Sequence, residues 1–162
     1  MFLINESIIM NIEENLKNHE LTLEEASLPA GNYVPYIITN KIVYISGQLP
    51  FRQGKIPITG VVGETVSPED AIEMAKLCAL ALISQLKSAC DGDLNKVSRV
   101  VKLGGFVASS SSFTSQPTII NGASDIMVKV FGEKGKHSRF AVGVSSLPLN
   151  APVEIEGIFE LK

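Results

Sequence analysis

The sequence predicts an α+β fold in which two helices pack on one face of a mixed β-sheet. Two observations predict it: strand-like and helix-like segments follow one another in the order ββαβαββ, and each helical segment has a clear start and end. With 162 residues, 45% hydrophobic and 19% charged, the chain can bury one core. We therefore expect a single domain over residues 21–162.

Residues 1–20 predict an N-terminal extension and one short helix. The stretch Met1–Met10 is apolar, but it contains Glu6 and lacks a basic region, which argues against a signal peptide. Met10 is an alternative start, and the preceding residues then form a poorly ordered extension. The helix is predicted over residues 11–18.

A hairpin and a long helix follow. The extended runs 33–39 and 41–46 flank Asn40 and predict two antiparallel strands. Ser67 and Pro68, followed by two acids, predict a helix start, and the helix should run to about Cys90 and end at Asp91-Gly92. One face of this helix repeats every 3.6 residues and should be buried: Ala71, Ala75, Cys78, Leu82 and Leu86.

The second half predicts three strands and a helix. Residues 97–108 form a strand in which Gly104-Gly105 marks either a bulge or a close approach of another group to the backbone. A helix is predicted over 118–131, and strands over 138–145 and 153–161. So small a sheet leaves a face or an edge uncovered, and oligomerisation would cover it.

Composition excludes several function classes. Fourteen basic and seventeen acidic residues leave a net charge of -3, which disfavours nucleic-acid binding. The two histidines, His19 and His137, lack metal-ligand spacing, and no phosphate-binding glycine motif is present. Cys78 and Cys90 predict reduced core thiols in a cytoplasmic protein. No apolar run reaches the length of a membrane span.

Arg139, Glu154 and Glu156 are the candidate functional side chains. Arg139 opens an apolar strand, where its guanidinium either pairs with one of the two glutamates, reaches solvent, or clamps the carboxylate of a ligand. Glu154 and Glu156 share one face of the last strand. His137, in a Gly/Lys loop, is expected to be exposed.

Five segments carry a family resemblance. They are N-Y-V-P-Y (32–36), I-S-G-Q-L-P (45–50), G-D-L-N-K-V-S-R-V-V-K-L (92–103), I-N-G-A-S (120–124) and R-F-A-V-G-V…V-E-I-E (139–156). In this order, with fifteen residues from Arg139 to Glu154, they resemble the RidA family of reactive intermediate deaminases, also called the YjgF or liver perchloric-acid-soluble protein family. The loop 56–63 and the motif G-x-x-G-K-H-x-R (132–139) resemble a larger, less characterised branch.

The resemblance implies a chorismate-mutase-like two-layer fold and a homotrimer with a central barrel and clefts between subunits. It also implies hydrolysis of enamine and imine intermediates, such as 2-iminopropanoate, to a 2-keto acid and ammonia without a cofactor. Arg139 would hold the substrate carboxylate and Glu154 the attacking water. The other residues that would bind substrate are Tyr33, Ser46, Gly47, Asn121 and Ala141.

Three alternatives stay open at this point. Tyr36 competes with Tyr33, and Glu156 replaces Glu154 if the strand register shifts. Ala141 stands where many RidA proteins have Cys, which argues against a thiol role. The protein could also bind small carboxylates as a sensor, or act as the endoribonuclease or translation inhibitor that some members of this family are described to be.

Overall fold

The computed structural model describes residues 11–162, so the expectations for Met1–Met10 lie outside the described residues. A five-stranded sheet has the order β1-β2-β5-β3-β4. The β3–β4 pair is parallel and the other pairs are antiparallel, which confirms the mixed sheet. The strands are β1 (Tyr36–Thr39), β2 (Ile42–Gln48), β3 (Val97–Ala108), β4 (Ser138–Val144) and β5 (Val153–Leu161), and the helices are α1 (Ile12–Asn18), α2 (Pro68–Ala89) and α3 (Gln116–Phe131).

Helices α2 and α3 cover one face of the sheet, as predicted. The Ser67 hydroxyl accepts the backbone N–H of Asp70 at 3.1 Å and caps α2, which ends at Ala89 with Cys90 as its C-cap. The predicted face of α2 is fully buried. The two helices approach closely at Gly122, where an added Cβ would lie 2.6 Å from the Ile72 carbonyl oxygen. None of the helices described between residues 11 and 162 is long and apolar enough to span a membrane.

The hairpin is confirmed, but its first strand starts later than predicted. Asn40 and Lys41 both have positive φ and form the two-residue turn between β1 and β2. Tyr33 lies in a loop, because Pro35 has no backbone N–H to extend the strand. The Ser46 hydroxyl donates instead to the Val34 carbonyl at 2.9 Å and fixes this loop beside β2.

Of the two alternatives for Gly104 and Gly105, the structure shows the close approach and not the bulge. The irregularities of β3 lie earlier in the strand, between residues 97 and 102. An added Cβ at Gly105 would lie 2.6 Å from the Ile120 side chain of α3. On the opposite face, one at Gly104 would lie 2.7 Å from the Phe140 ring. The two glycines therefore allow side chains to pack directly on the strand from both sides.

The face of the sheet opposite the helices carries apolar side chains beside the charged side chains of β3 and β5. The register aligns Ile37, Tyr44 and Ile158 in one row across β1, β2 and β5. Phe106 and Phe140 pack edge to face at 5.3 Å between ring centroids on the same side. Ile37 is 55% exposed and Tyr44 46% exposed, so this face leaves a hydrophobic surface uncovered in the single chain.

Candidate active site

Arg139 projects from β4 toward α3, where neutral oxygen atoms hold its guanidinium. Its Nη1 donates to Asn121 Oδ1 at 2.8 Å and to Ser124 Oγ at 3.0 Å, and its Nη2 donates to the Pro117 carbonyl at 3.2 Å. Among the ion pairs found in residues 11–162, none involves Arg139, so of the three alternatives for its guanidinium the pairing with a glutamate is excluded. Neutral acceptors position the guanidinium and leave its charge uncompensated.

Arg139 keeps hydrogen-bonding capacity for a ligand. A guanidinium has five N–H donors, and the three bonds above leave the Nε–H and one Nη2–H without a partner in the described part of the chain. Two such donors can take a carboxylate with two parallel hydrogen bonds. Ala141 lies two residues further along β4 on the same face, half-buried, and Asn121 is exposed beside the guanidinium.

Ser124 and His137 complete this group; the sequence predicted an exposed His137 and assigned no role to Ser124. His137 is half-buried rather than exposed: its Nδ1 lies 2.6 Å from the Gly135 carbonyl oxygen and its Nε2 3.0 Å from Ser124 Oγ. Burial lowers the pKa of His137, and the charge of Arg139 lowers this pKa further, against the hydrogen bond to Gly135. The G-x-x-G-K-H-x-R motif placed His137 next to the site in sequence, and Ser124 is the last residue of the I-N-G-A-S segment, one helical turn after Asn121.

Glu154 lies at the start of β5, beside an irregular part of β2. The pairing of β2 with β5 shifts between Ile45 and Gln48, and Gly47 lies inside that shift. An added Cβ at Gly47 would collide with the Glu154 carboxylate. The absence of a side chain at Gly47 therefore makes the room that the carboxylate occupies.

Glu154, Gly47 and Tyr33 line one cavity of about 620 Å³. Neither of the two alternatives is among its lining residues: Tyr36 packs half-buried against the core, and Glu156 is exposed next to Gly104. Of these candidates, Tyr33 and Glu154 are therefore the ones that share a cavity. The rest of the wall is mainly apolar and includes Leu28, Pro29, Pro35, Leu49, Phe51 and Leu149.

The environment of Glu154 suits proton transfer. Burial raises the pKa of Glu154, and the negative charge of Glu156 raises this pKa further. A carboxylate with a raised pKa is a stronger base near neutral pH. Glu154 can therefore accept a proton from a water molecule in the cavity more readily than an exposed glutamate can.

The predicted site residues fall into two groups that do not meet within one chain. Arg139, with Asn121 and Ala141, faces the helix layer. Glu154 alternates to the other face of the sheet in register with Phe106, and β3 separates β4 from β5. No cluster of three His, Cys, Asp or Glu side chains that could hold a metal ion is found in residues 11–162.

Both the sequence and the fold of this chain are similar to those of known proteins. A family model described as "YjgF/chorismate_mutase-like, putative endoribonuclease" matches residues 13–160. Protein TCP17 of Trypanosoma cruzi is 43% identical over 151 residues, which are 93% of this chain and 94% of that protein. The structure of protein Atu1372 from Agrobacterium tumefaciens is 48% identical, with a TM-score of 0.87 and coverage of 93% of this chain and 92% of that one. A Shewanella oneidensis MR-1 structure, called a "putative endoribonuclease", is 33% identical, with a TM-score of 0.90 and coverage of 93% and 99%.

Proposed function

Because the chain belongs to the YjgF/chorismate-mutase-like family, we propose that it is a deaminase that hydrolyses reactive 2-imino acids to 2-keto acids and ammonia. One observation carries the proposal: neutral groups fix the Arg139 guanidinium and leave two of its N–H donors available. That arrangement fits the carboxylate that every 2-imino acid carries.

In this proposal Arg139 binds and orients the substrate. Two parallel hydrogen bonds from Nε and Nη2 fix the plane of the substrate carboxylate, and the imine carbon is attached directly to that carboxylate. The backbone of β4 and the side chain of Asn121 border the same place. Fixing the imine carbon relative to a water molecule lowers the entropic part of the barrier to attack.

In this proposal Glu154 accepts and donates the protons that the reaction transfers. The nitrogen of a protonated imine withdraws electrons, so its carbon accepts a water oxygen without a covalent enzyme intermediate. Glu154 takes one proton from the attacking water and returns it to the nitrogen. The C–N bond then breaks, and as ammonia leaves, Glu154 takes the proton of the remaining hydroxyl, whose oxygen becomes the carbonyl of the 2-keto acid. That proton passes to the ammonia, which departs as ammonium. Water is the co-reactant, and no oxidant or reductant is needed.

We propose that a second copy of the chain completes the site. Arg139 lies on the edge strand β4, and Glu154 lies in a different cavity, so one chain alone holds the two functions apart. The apolar sheet face that includes Ile37 and Tyr44 is a surface that association would bury. A homotrimer would place the Tyr33 and Glu154 cavity of one subunit beside Arg139 of the next.

We place this reaction in the cytoplasm, a reducing compartment. Cys78 and Cys90 are both free and buried, and burial raises the pKa of the Cys78 thiol, which keeps it unreactive.

The test is the release of 2-keto acid and ammonia from a 2-imino acid generated by an amino acid oxidase. The protein should accelerate that release, and light scattering should give the mass of a trimer. Arg139→Ala removes two charge-assisted hydrogen bonds of ~1.5–3 kcal/mol each, so kcat/KM should fall by about 10²–10⁴-fold. Arg99→Ala, which removes an exposed arginine of β3, should leave kcat/KM unchanged.

Glu154→Gln separates turnover from binding. It should lower kcat by about 10²–10⁴-fold and change the Kd for 2-ketobutyrate only a few-fold. Absence of any acceleration by the unaltered trimer would overturn the proposal.

Two other functions have a specific observation in their favour. One chain supplies every group that hydrogen-bonds the Arg139 guanidinium, which favours a sensor that binds small carboxylates. Binding of 2-ketobutyrate without imine turnover would support this function. The family description and the Shewanella protein's name favour RNA cleavage. The net charge of -3 argues against RNA binding, and retention on an RNA column at moderate salt would reverse that argument.

A further inference from the structure

We propose that His137, acting through the Ser124 hydroxyl, positions Arg139 and makes carboxylate binding at Arg139 depend on a proton. The carboxylate part of this inference rests on the proposed function, and the link between the two side chains does not. The structural basis is a continuous line of hydrogen bonds from Gly135 through His137 and Ser124 to Arg139.

The direction of each hydrogen bond in the line follows from its chemistry. The Gly135 carbonyl can only accept, so Nδ1 of His137 carries a hydrogen. In the neutral ring Nε2 then accepts, and Ser124 donates its hydroxyl hydrogen to it at 3.0 Å. The Ser124 oxygen is left to accept from Arg139 Nη1, also at 3.0 Å. The neutral imidazole thus orients the hydroxyl that holds the guanidinium.

Packing fixes both ends of the line. Gly135 belongs to a short 3₁₀ helix, Gly132–Gly135, that packs against α3. The two backbones are so close that an added Cβ at Gly135 would collide with the Met127 carbonyl. His137 follows this turn directly, and Arg139 lies in the β4 strand, paired with Leu103 of β3. The loop and the strand therefore meet on one α3 side chain, Ser124, and a change at His137 is transmitted to the guanidinium.

Protonation changes this line. In the imidazolium both ring nitrogens donate, so Ser124 must accept from His137 and from Arg139 together. A second positive charge then lies one hydroxyl away from the guanidinium. A carboxylate bound to Arg139 offsets that repulsion, so anion binding and proton uptake at His137 must strengthen each other. The affinity for a carboxylate should rise as the pH falls.

The other charged groups near His137 lie at the surface. Glu133 and Lys136 pair with each other at 2.8 Å, and both are exposed. Lys102 of β3 lies over the Phe140 ring on the other face of the sheet. The remaining charged side chains of the loop and of the adjoining part of α3 are exposed: Lys134, Asp125 and Lys129. Arg139 is the charged group that acts on His137.

The first experiment needs no ligand. An NMR titration of the full chain measures the pKa of His137, and His19, the other histidine, serves as an internal reference. Removing the positive charge with Arg139→Gln should raise the pKa of His137 by about 0.5. Arg99→Gln should leave it unchanged. An unchanged pKa of His137 in Arg139→Gln would overturn the proposed link, whatever the protein binds.

The second experiment measures the Kd of 2-ketobutyrate by calorimetry from pH 5 to pH 8, in a Glu154→Gln background that removes the carboxylate proposed to act in the reaction. Binding should tighten by about 3–10-fold as the pH falls through the pKa of His137. His137→Gln should abolish this dependence, and Ser124→Ala should reduce it. An identical pH profile in His137→Gln would overturn the inference. Absence of binding at every pH would instead refute the carboxylate clamp, and the NMR result would still decide the link.

Discussion

Replacing Gly47 with alanine tests how Glu154 is placed. Gly47 does not have a positive φ, so its backbone accepts an alanine. The added methyl would collide with the carboxylate of Glu154, and it would lie 3.0 Å from Glu154 Cδ and 3.3 Å from Cγ. Both distances are shorter than an ordinary van der Waals contact. The substitution therefore acts on the side chain of Glu154 rather than on the backbone.

The size of the effect follows from this geometry. The carboxylate is the far end of a flexible side chain and can swing away, so the free energy of unfolding should change by less than about 1 kcal/mol. A displacement of about 1 Å at a reacting group costs roughly 10²-fold in rate. Gly47→Ala should therefore lower kcat for imine hydrolysis by about 10²-fold and leave the Kd for 2-ketobutyrate nearly unchanged.

A double-mutant cycle with Glu154→Ala identifies the cause. Imine hydrolysis, 2-ketobutyrate binding and the melting temperature are measured for Gly47→Ala, Glu154→Ala and the double variant. In the Glu154→Ala background the second substitution should lower kcat by less than about 3-fold. An equal loss in both backgrounds would show that Gly47 acts independently of Glu154. Full activity of a folded Gly47→Ala would refute the importance of the carboxylate position.

Three further predictions concern stability. Because the pKa of Glu154 is raised, the folded state binds the proton of this carboxyl more tightly than the unfolded chain does. The stability that this proton contributes is lost as the pH rises through the folded pKa. Glu154→Gln should therefore raise the melting temperature at pH 8, by an amount that vanishes near pH 4. Gly105→Ala forces a methyl against Ile120 and should cost ~1–3 kcal/mol in urea unfolding, part of which Ile120→Val restores. Ser67→Ala removes the cap of α2 and should cost about 1 kcal/mol in the same assay; no change would mean that Asp70 is satisfied by water.

The elements that the sequence predicted best are those with local causes. The hydroxyl cap and the proline at Ser67-Pro68 act within one turn, and they place the start of α2 at its observed residue. The alternation of apolar and polar side chains along β5 can be recognised from neighbouring residues alone. The predicted bounds of this strand, residues 153–161, are the observed ones, Val153–Leu161. The family resemblance is likewise confirmed, because it rests on five blocks spread over most of the chain.

The features that were missed depend on contacts between distant segments. Charge complementarity suggested a glutamate partner for Arg139, but the order β5-β3-β4 and strand alternation put Arg139 and Glu154 on opposite faces. His137 was expected in water because its sequence neighbours are Gly and Lys. Its ring instead lies within hydrogen-bond distance of Ser124, thirteen residues earlier on α3. No periodicity or spacing in the sequence encodes that meeting.

The two halves of the candidate site differ in how much of the chain they need. Every group that holds Arg139 lies in the continuous stretch from β3 through α3 to β4. The place of Glu154 depends on three segments that are far apart in sequence, around Tyr33, Gly47 and β5 itself. A substitution in the hairpin can therefore move Glu154 and leave the hydrogen bonds that hold Arg139 intact, so the two halves of the candidate site can be altered independently.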